Sequence, residues 1–167
     1  DPKGENWAAT AGYRSKFSRV IPFRPLEPNN NTAHYNPIWE IPDSPSEAFS
    51  WADTIGEIFF GGDTAKAASD GATQYFNNTA RDIFSGVVMH VRFSKDIPWK
   101  DKNLATVLHI FSSSTKEDEK EGDEENSKGP GWEMLEAMIN ADHGNDKIHQ
   151  LIVEAANRSK IQTPKER

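Results

Sequence analysis

The sequence predicts an all-α protein, a helical bundle of about five helices, preceded by a short helix-strand remnant of an α/β nucleotide-binding domain. Three observations predict this class. Apolar residues recur at helical spacing in successive segments from residue 44 onward. Capping residues, glycine and proline separate these segments, and no credible strand lies between them. Nine Phe and five Trp among 167 residues supply enough bulky side chains for one packed core.

Residues 1–42 differ from the rest, and we predict a remnant of a motor domain followed by a connector. "DPKGE" is typical of a turn after a strand, and "ENWAATAGYRSKF" can form a short helix. "SRVIPFRP" then predicts a short strand, in which Pro22 limits pairing because it lacks an N–H group. Four prolines and three consecutive asparagines between residues 25 and 42 predict a connector without helical periodicity.

The first helix of the bundle is predicted to begin at Pro45, with Ser44 as its N-cap. The segment "SPSE" offers an N-cap serine, a proline at the first helical position and Glu47 as the partner in a capping box. Gly61 and Gly62 are expected to end this helix. Its apolar face comprises Ala48, Ala52, Ile55 and Phe59.

A longer helix is predicted to follow, capped by Asp63 or Thr64 and extending to about Phe93. At about 1.5 Å per residue it would be a rod of roughly 45 Å, long enough to form the spine of the bundle. Its apolar face comprises Phe76, Ala80, Ile83, Phe84, Val87 and Val91, and Leu104, Leu108, Leu135 and Leu151 are expected to pack against it.

Three shorter helices complete the predicted domain, which spans residues 43–160. Asp101 can cap the first, and Asn145 can cap the last, after Gly144 has ended the middle one. The polar tail 161–167 lies beyond the domain. The apolar faces of these helices contain Leu104, Val107, Leu108 and Phe111, then Trp132, Leu135, Met138 and Ile139, and finally Ile148, Leu151, Ile152 and Ala155.

A polar, acidic segment at about 114–130 is predicted to be a disordered surface loop, because its composition cannot bury a core. We expect its removal to cost little thermal stability.

Charge argues against a nucleic-acid clamp. The net charge is −7, and residues 41–130, with nine basic and sixteen acidic residues, carry a net −7 themselves. The only basic cluster lies in the remnant segment, at Arg14, Lys16, Arg19 and Arg24, so the bundle lacks the stripe that phosphate contacts require. We predict instead an acidic docking surface for a basic protein, although the same charges could serve solubility alone. Its residues are Asp43, Glu47, Asp53, Glu57, Glu117, Asp118 and Glu119.

No catalytic, cofactor or metal site is predicted in this chain. The phosphate-binding loop needs a Gly-Lys pair, which occurs nowhere in the sequence, so we expect no ATP hydrolysis. Carboxylate pairs such as Asp53 and Glu57 are expected by chance in an acidic helix. His143 and His149 stand six apart across a helix break, which favours a solvated hairpin over a metal site. His90 and His109 are interpreted as packing or edge histidines.

Four segments in order carry a family resemblance: "DPKGE", "TAGYR", "RVIPFRP" and "HYNPIWEI". The sequence resembles the coupling proteins of type IV secretion and conjugation, the TraG/TraD-like family of membrane-anchored ATPases. Asp1, Lys3, Gly4 and Glu5 match a motor-domain motif of that family. Tyr35, Asn36 and Pro37 match the segment leading into its inserted all-α domain, and "YFNNTARDIFSGVVMHV" is similar to the long helix of that insert.

The resemblance implies that this chain begins inside a motor domain and ends before the motor resumes. It implies a parent protein that binds ATP and magnesium, forms a homo-hexamer and lies on the cytoplasmic side of the bacterial inner membrane, whereas the fragment itself is expected to be monomeric. The all-α domain would recruit relaxase, relaxosome or secreted effector proteins for delivery to the secretion channel. The alternative that the resemblance leaves open is a DNA-binding helical module of the same motor, with weak DNA contact.

Overall fold

The computed structural model describes residues 4–24, 26, 32–60, 71–114 and 131–162. It divides the chain into two compact units, residues 1–35 and residues 36–167. The described part of the chain contains six α-helices and one 3-10 turn and forms no strand, which confirms the predicted all-α class. None of these helices is both long and apolar enough to cross a membrane.

The first unit contains helix α1 (Glu5–Arg14), none of whose residues is buried. Gly4 precedes α1 with φ of 73°, a left-handed conformation that favours glycine. The strand predicted in "SRVIPFRP" is wrong, because residues 19–24 form neither a helix nor a strand. Residues 22 and 33 lie side by side, since the Ala33 N–H donates a backbone hydrogen bond of 2.7 Å to the Pro22 carbonyl.

The second unit is a bundle built around one central helix. Its helices are α2 (Pro45–Phe60), α3 (Gly71–Phe93), α4 (Leu104–Ser114), α5 (Trp132–Asn140) and α6 (Asp146–Gln162), with a 3-10 turn at Trp99–Asp101. Helix α3 packs against α2, α4 and α6, while α5 packs against α4 and α6. This arrangement confirms the prediction that the long helix is the spine.

Burial is greatest in the C-terminal half of α3, where every residue from 84 to 91 is buried. Two glycines allow the close approach of the neighbouring helices. A Cβ added to Gly56 of α2 would lie 2.8 Å from the Ser85 hydroxyl, and one added to Gly86 of α3 would lie 2.9 Å from the Ala155 Cβ of α6. The backbone of α2 at Gly56 therefore lies directly against the Ser85 side chain. The backbone of α3 at Gly86 lies directly against the Ala155 side chain in the same way, and neither glycine has room for an added methyl group.

The predicted core is correct for most positions and wrong at three, the first of which is Phe59 of α2, which is 55% exposed. Val87, Val91 and Leu135 are buried, whereas Phe76 is 69% exposed and Leu108 is 61% exposed. Phe76 lies eight residues before the buried stretch of α3. Leu108 follows the buried Val107, so one step of about 100° turns it toward solvent. The remaining predicted partners, Ala80, Ile83, Leu104 and Leu151, are half-buried.

The helix boundaries show which capping predictions hold. Helix α2 begins at Pro45, as predicted. Asn145 caps α6 by accepting hydrogen bonds from the N–H groups of Lys147 and Ile148. The cap predicted at Asp101 is wrong, because Asn103 accepts the N–H of Thr106 instead and α4 begins at Leu104. The predicted caps at 63 and 64, most of the acidic loop and the end of the tail lie outside the described residues.

Candidate docking surface

The solvent side of α2 combines acidic and apolar side chains. Trp51 is 44% exposed and Ile58 is 74% exposed, and these two residues are seven apart, which places them on one side of the helix. Glu47 and Thr54 lie on the same stripe, and Glu57 lies beside it, all of them exposed. We name these five residues the α2 outer face. It lies on a different side of the helix from the buried residues Ala48, Ala52, Ile55 and Gly56.

Asp53 does not belong to this surface as a free charge, contrary to its prediction as a projecting docking residue. Its two carboxylate oxygens accept hydrogen bonds of 2.7 Å from Nε and Nη2 of Arg81 on α3. This bidentate pair raises the pKa of the Arg81 guanidinium, chiefly through the hydrogen bond to Asp53. The carboxylate therefore joins α2 to α3, and its charge is already neutralised.

Asp43 is also paired, although its side chain remains 86% exposed. It accepts a hydrogen bond of 2.9 Å from Nη2 of Arg92. The same guanidinium donates through Nε to the Ile41 carbonyl at 3.1 Å and lies 5.3 Å from the ring centroid of Trp99. Arg92 thus holds the segment before α2 against the end of α3, and Asp43 contributes to that contact.

The other predicted site residues fall in different parts of the chain. Glu117, Asp118 and Glu119 lie outside the described residues, as do Asp1 and Lys3. Of the motor-domain motif, Gly4 and Glu5 are described, at the start of α1, where Glu5 is exposed. Glu47 and Glu57 therefore remain as exposed carboxylates of α2. The structure does not test the contribution of the acidic loop.

Sequence reasoning missed Trp51 and Ile58, although a signal for them was present. Both are large apolar residues that fall outside the i, i+4, i+7 pattern defining the buried face of α2. A large apolar residue on the polar side of an amphipathic helix is a candidate for a partner contact. The periodicity that locates the core also isolates these two exceptions.

A groove of about 460 Å³ lies between α2 and α6, lined by Phe49, Leu151, Glu154, Asn157 and Arg158. A hydrolase that works through a carboxylate pair would need two carboxyl groups facing each other in such a groove. Among its described lining residues Glu154 is the sole carboxylate, so this groove does not support that chemistry.

Three histidines meet near the C-terminal end of α3, and the sequence did not predict this contact. His90 Nδ1 lies 2.9 Å from His143 Nε2, and His143 Nδ1 lies 2.9 Å from His149 Nδ1. His90 belongs to α3, His143 to the turn between α5 and α6, and His149 to the first turns of α6. We name these three residues the histidine chain. No sequence pattern signals it, because 53 residues separate His90 from His143.

Two rings of the histidine chain are shielded from water, and the third, His149, is half-buried. His90 is 8% exposed and His143 is 4% exposed. Burial lowers the pKa of His90 to about 4, and burial together with the neighbouring histidines lowers the pKa of His143 to about 4. Within the described residues no group of three or more His, Asp or Glu side chains has the arrangement of a metal site. His90 and His143 are therefore held as neutral rings, joined by a hydrogen bond to each other, and His143 is also joined to His149.

The comparisons with known proteins assign the family. A family model described as type IV secretory system conjugative DNA transfer matches residues 1–147. The chain belongs to this family. No curated protein and no solved structure gives a significant match. The match confirms the resemblance seen in the sequence and extends beyond residue 112, where the recognisable segments end.

In this conjugative-transfer family member, the "YNP" segment has a structural role at the beginning of the bundle. Asn36, within the "YNP" segment, donates from its side-chain amide to the Lys102 carbonyl at 2.7 Å and accepts the Ile38 N–H at 3.1 Å. Ile38 and Ile41, which follow, are fully buried. Asn36 therefore fastens the beginning of the bundle to the turn before α4.

Proposed function

We propose that the helical unit, residues 36–162, is a substrate-docking domain of a conjugative coupling protein. The family match supports the general role in DNA transfer. The observation that carries the docking role is the α2 outer face, where Trp51 and Ile58 are exposed beside the acidic side chains of Glu47 and Glu57. Such a surface suits a partner protein that presents basic side chains around an apolar one.

The charge of the unit supports a protein partner over a nucleic acid. Residues 41–130 carry a net charge of −7, which repels a phosphate backbone and attracts a basic protein surface. Asp43 and Asp53 are paired with arginines. The carboxylates near α2 that would attract a basic partner are therefore Glu47 and Glu57. Exposed charges of this kind act mainly on the association rate, and salt weakens their effect.

The rest of the proposal concerns the parent protein. We propose that this chain does not hydrolyse ATP, since it lacks the Gly-Lys pair of a phosphate-binding loop. ATP and magnesium would bind to a motor domain of a hexameric parent at the cytoplasmic side of the inner membrane. The docked partner would be a relaxase, a relaxosome protein or a secreted effector.

A second candidate function is DNA contact through the first unit, and one observation favours it. Tyr13 and Phe17 are 68% and 59% exposed, and their rings pack edge to face at 5.3 Å. The Arg14 guanidinium lies 5.8 Å from the Phe17 ring, and the Lys16 ammonium lies 5.9 Å from the Tyr13 ring. Basic groups interleaved with exposed aromatic rings are typical of surfaces that bind single-stranded nucleic acid.

Two titrations of the 167-residue chain distinguish these functions. One uses the relaxase encoded with the parent protein, and the other uses single- and double-stranded oligonucleotides, each at 50 and 150 mM salt. Docking predicts relaxase binding that weakens in a Glu47→Lys, Glu57→Lys variant and in an Ile58→Ser variant. DNA binding that persists at the higher salt, with no relaxase binding, would contradict the docking proposal.

Matched controls separate a lost contact from lost stability. Leu108→Ser changes an equally exposed apolar residue on α4, and Glu154→Lys reverses an exposed charge on α6. Neither residue lies on the α2 outer face, so both variants should bind the relaxase as well as the unmodified chain does. Equal loss in the controls would show that overall charge or apolar area, and not this surface, governs binding.

A further inference from the structure

The histidine chain joins three elements at one end of the bundle. It connects the last turn of α3 through His90, the α5–α6 turn through His143 and the start of α6 through His149. We propose that the histidine chain is a pH-sensitive latch, which holds the α5–α6 turn against the end of α3 and releases it when the rings take up more than one additional proton.

Proton counting gives the latch its threshold. Each of the two N···N contacts holds one hydrogen between two ring nitrogens, so one nitrogen donates and the other accepts. Three neutral rings carry three hydrogens, two of which fill the contacts. One further proton can still be accommodated on an outer nitrogen of His90 or His149 with both contacts intact. A second added proton makes two nitrogens donors toward each other, and one contact must break.

Burial makes a proton on His90 or on His143 unfavourable. The charged groups that act on these rings are Asp96 and Asp142, which favour a cation, and Lys102, which opposes one. The two carboxylates do not compensate for burial, because the pKa values of His90 and His143 still fall to about 4. The closed latch is therefore the form in which His90 and His143 are neutral.

The direction of the pH effect follows from these pKa values. Once the rings are exposed, each takes up a proton near its ordinary pKa of 6.5, whereas in the closed state the pKa of His90 and of His143 is about 4. The closed state is thus fully favoured above pH 6.5 and loses stability as the pH falls toward 4. At pH 5 the opening equilibrium should shift by about 30-fold for each such histidine.

The neighbouring contacts do not titrate in the same range. Lys95 Nζ lies 2.8 Å from an Asp142 oxygen, and the Lys95 N–H donates to the Asp142 carbonyl at 2.9 Å. The hydrogen bond from Lys95, together with one from the Gly144 N–H, lowers the pKa of Asp142. This carboxylate therefore stays charged between pH 7 and 5, and the change in that window belongs to the histidines.

The test is an NMR titration of the whole 167-residue chain from pH 7.5 to 4.5, together with urea unfolding at pH 7.5, 6.5, 5.5 and 5.0. Imidazole nitrogen shifts report the protonation state of each ring. The amides of Lys95 and Gly144 report on the latch, and those of Val87 and Ile152 report on the core. His143→Gln removes the central titrating ring, and His109→Gln, which changes an exposed histidine on α4, is the matched control.

We expect the His90 and His143 rings to stay neutral at pH 6.5, and the Lys95 and Gly144 amides to shift on further acidification before those of Val87 and Ile152. The unfolding equilibrium should rise about 30-fold from pH 7.5 to 5 for each of the two histidines, so the rise in the His109→Gln chain, which keeps both, should be about 30 times that in His143→Gln, which keeps only His90. Equal pH dependence in the two variants, or His90 and His143 rings already protonated at pH 6.5 with unchanged amides, would overturn the latch. The ring and amide titrations of the unmodified chain decide the matter if His143→Gln does not fold.

Discussion

Gly86 and Ala155 lie so close that a Cβ added to the glycine would be 2.9 Å from the alanine Cβ. The Met138 Cε would lie 3.2 Å from the same added atom. The α3 backbone at Gly86 therefore lies directly against the Ala155 side chain of α6, with Met138 of α5 beside the same point. Gly86 leaves no space for a larger residue, so the packing of three helices depends on one missing methyl group.

Gly86→Ala should destabilise the bundle by about 1–3 kcal/mol, because an overpacked core forces helices or rotamers to shift. This cost outweighs the gain in helix propensity of about 1 kcal/mol that alanine has over glycine. Urea unfolding followed by circular dichroism measures the change. Gly71→Ala in the same helix is the control, since nothing lies within 4 Å of its added Cβ. A neutral Gly86→Ala would show that α6 can move away from α3 without cost.

The pair between Asp53 and Arg81 should contribute a measurable interaction energy, in contrast to most surface ion pairs. Both side chains are about one-third exposed, and two parallel hydrogen bonds of 2.7 Å join them. A double-mutant cycle with Asp53→Asn and Arg81→Met should give a coupling of about 1 kcal/mol, at the upper end for partly exposed pairs. The coupling should weaken in 1 M salt.

Glu47→Gln is the matched control for that cycle, because it removes a negative charge from an exposed position of the same helix. It should change stability by less than about 0.5 kcal/mol. If the coupling between Asp53 and Arg81 were as small as this, Asp53 would be free to serve in docking, as its charge alone had indicated.

The Lys102 amino group caps the C-terminal end of α3, and we expect it to contribute to the stability of the bundle. It is 9% exposed and donates hydrogen bonds of 2.8 Å to the carbonyls of Arg92 and Ser94. Burial, with a smaller contribution from the Arg92 charge, lowers the pKa of this amine. Lys102→Met keeps most of the length of the side chain but leaves two carbonyls without their donor, at an expected cost of about 1–3 kcal/mol.

The neighbouring Lys100→Met is the control, since Lys100 is exposed on the 3-10 turn. Thermal and urea unfolding at pH 7.5 measure both variants. Removal of a buried charge also relieves a desolvation cost, so the lower end of the range is expected. Equal stability of the two variants would mean that water replaces the Lys102 amine at both carbonyls.

The sequence predicts the helices well because each has a one-sided apolar pattern and a recognisable boundary. Ala48, Ala52 and Ile55 of α2 are buried as their spacing indicates. Periodicity fails in α3, where residues 84–91 are buried on every side, because three neighbouring helices enclose that half. A helix enclosed in this way can bury Ser85 and His90, which no amphipathic pattern assigns to a core.

The candidate sites show the same difference between what a local sequence pattern predicts and what tertiary packing decides. The acidic content of α2 was evident from the sequence, but charge alone does not reveal that Asp53 and Asp43 face arginines from another helix. Those pairings depend on the tertiary structure, with 28 residues between Asp53 and Arg81. The histidine chain likewise requires α3 and the α5–α6 turn to be adjacent. Local patterns predict elements, and only packing decides which charges remain free.

Asn36 should be essential to the junction at which the bundle begins, because its side chain makes two hydrogen bonds that no residue of a different shape can make together. Its amide donates to the Lys102 carbonyl, and its oxygen accepts the Ile38 N–H. The same junction holds the stacked rings of Trp39 and Trp99, whose centroids are 5.6 Å apart.

Asn36→Ala should therefore cost about 1–2 kcal/mol in urea unfolding and also reduce the near-ultraviolet circular dichroism of the tryptophan stack. Asn36→Asp keeps the acceptor for Ile38 but places a carboxylate against the Lys102 carbonyl, so it should recover neither property. Asn140→Ala, at the exposed end of α5, is the control and should leave both unchanged. A stable Asn36→Asp variant with a normal tryptophan signal would show that the Ile38 contact alone holds the junction and that the bond to Lys102 contributes nothing.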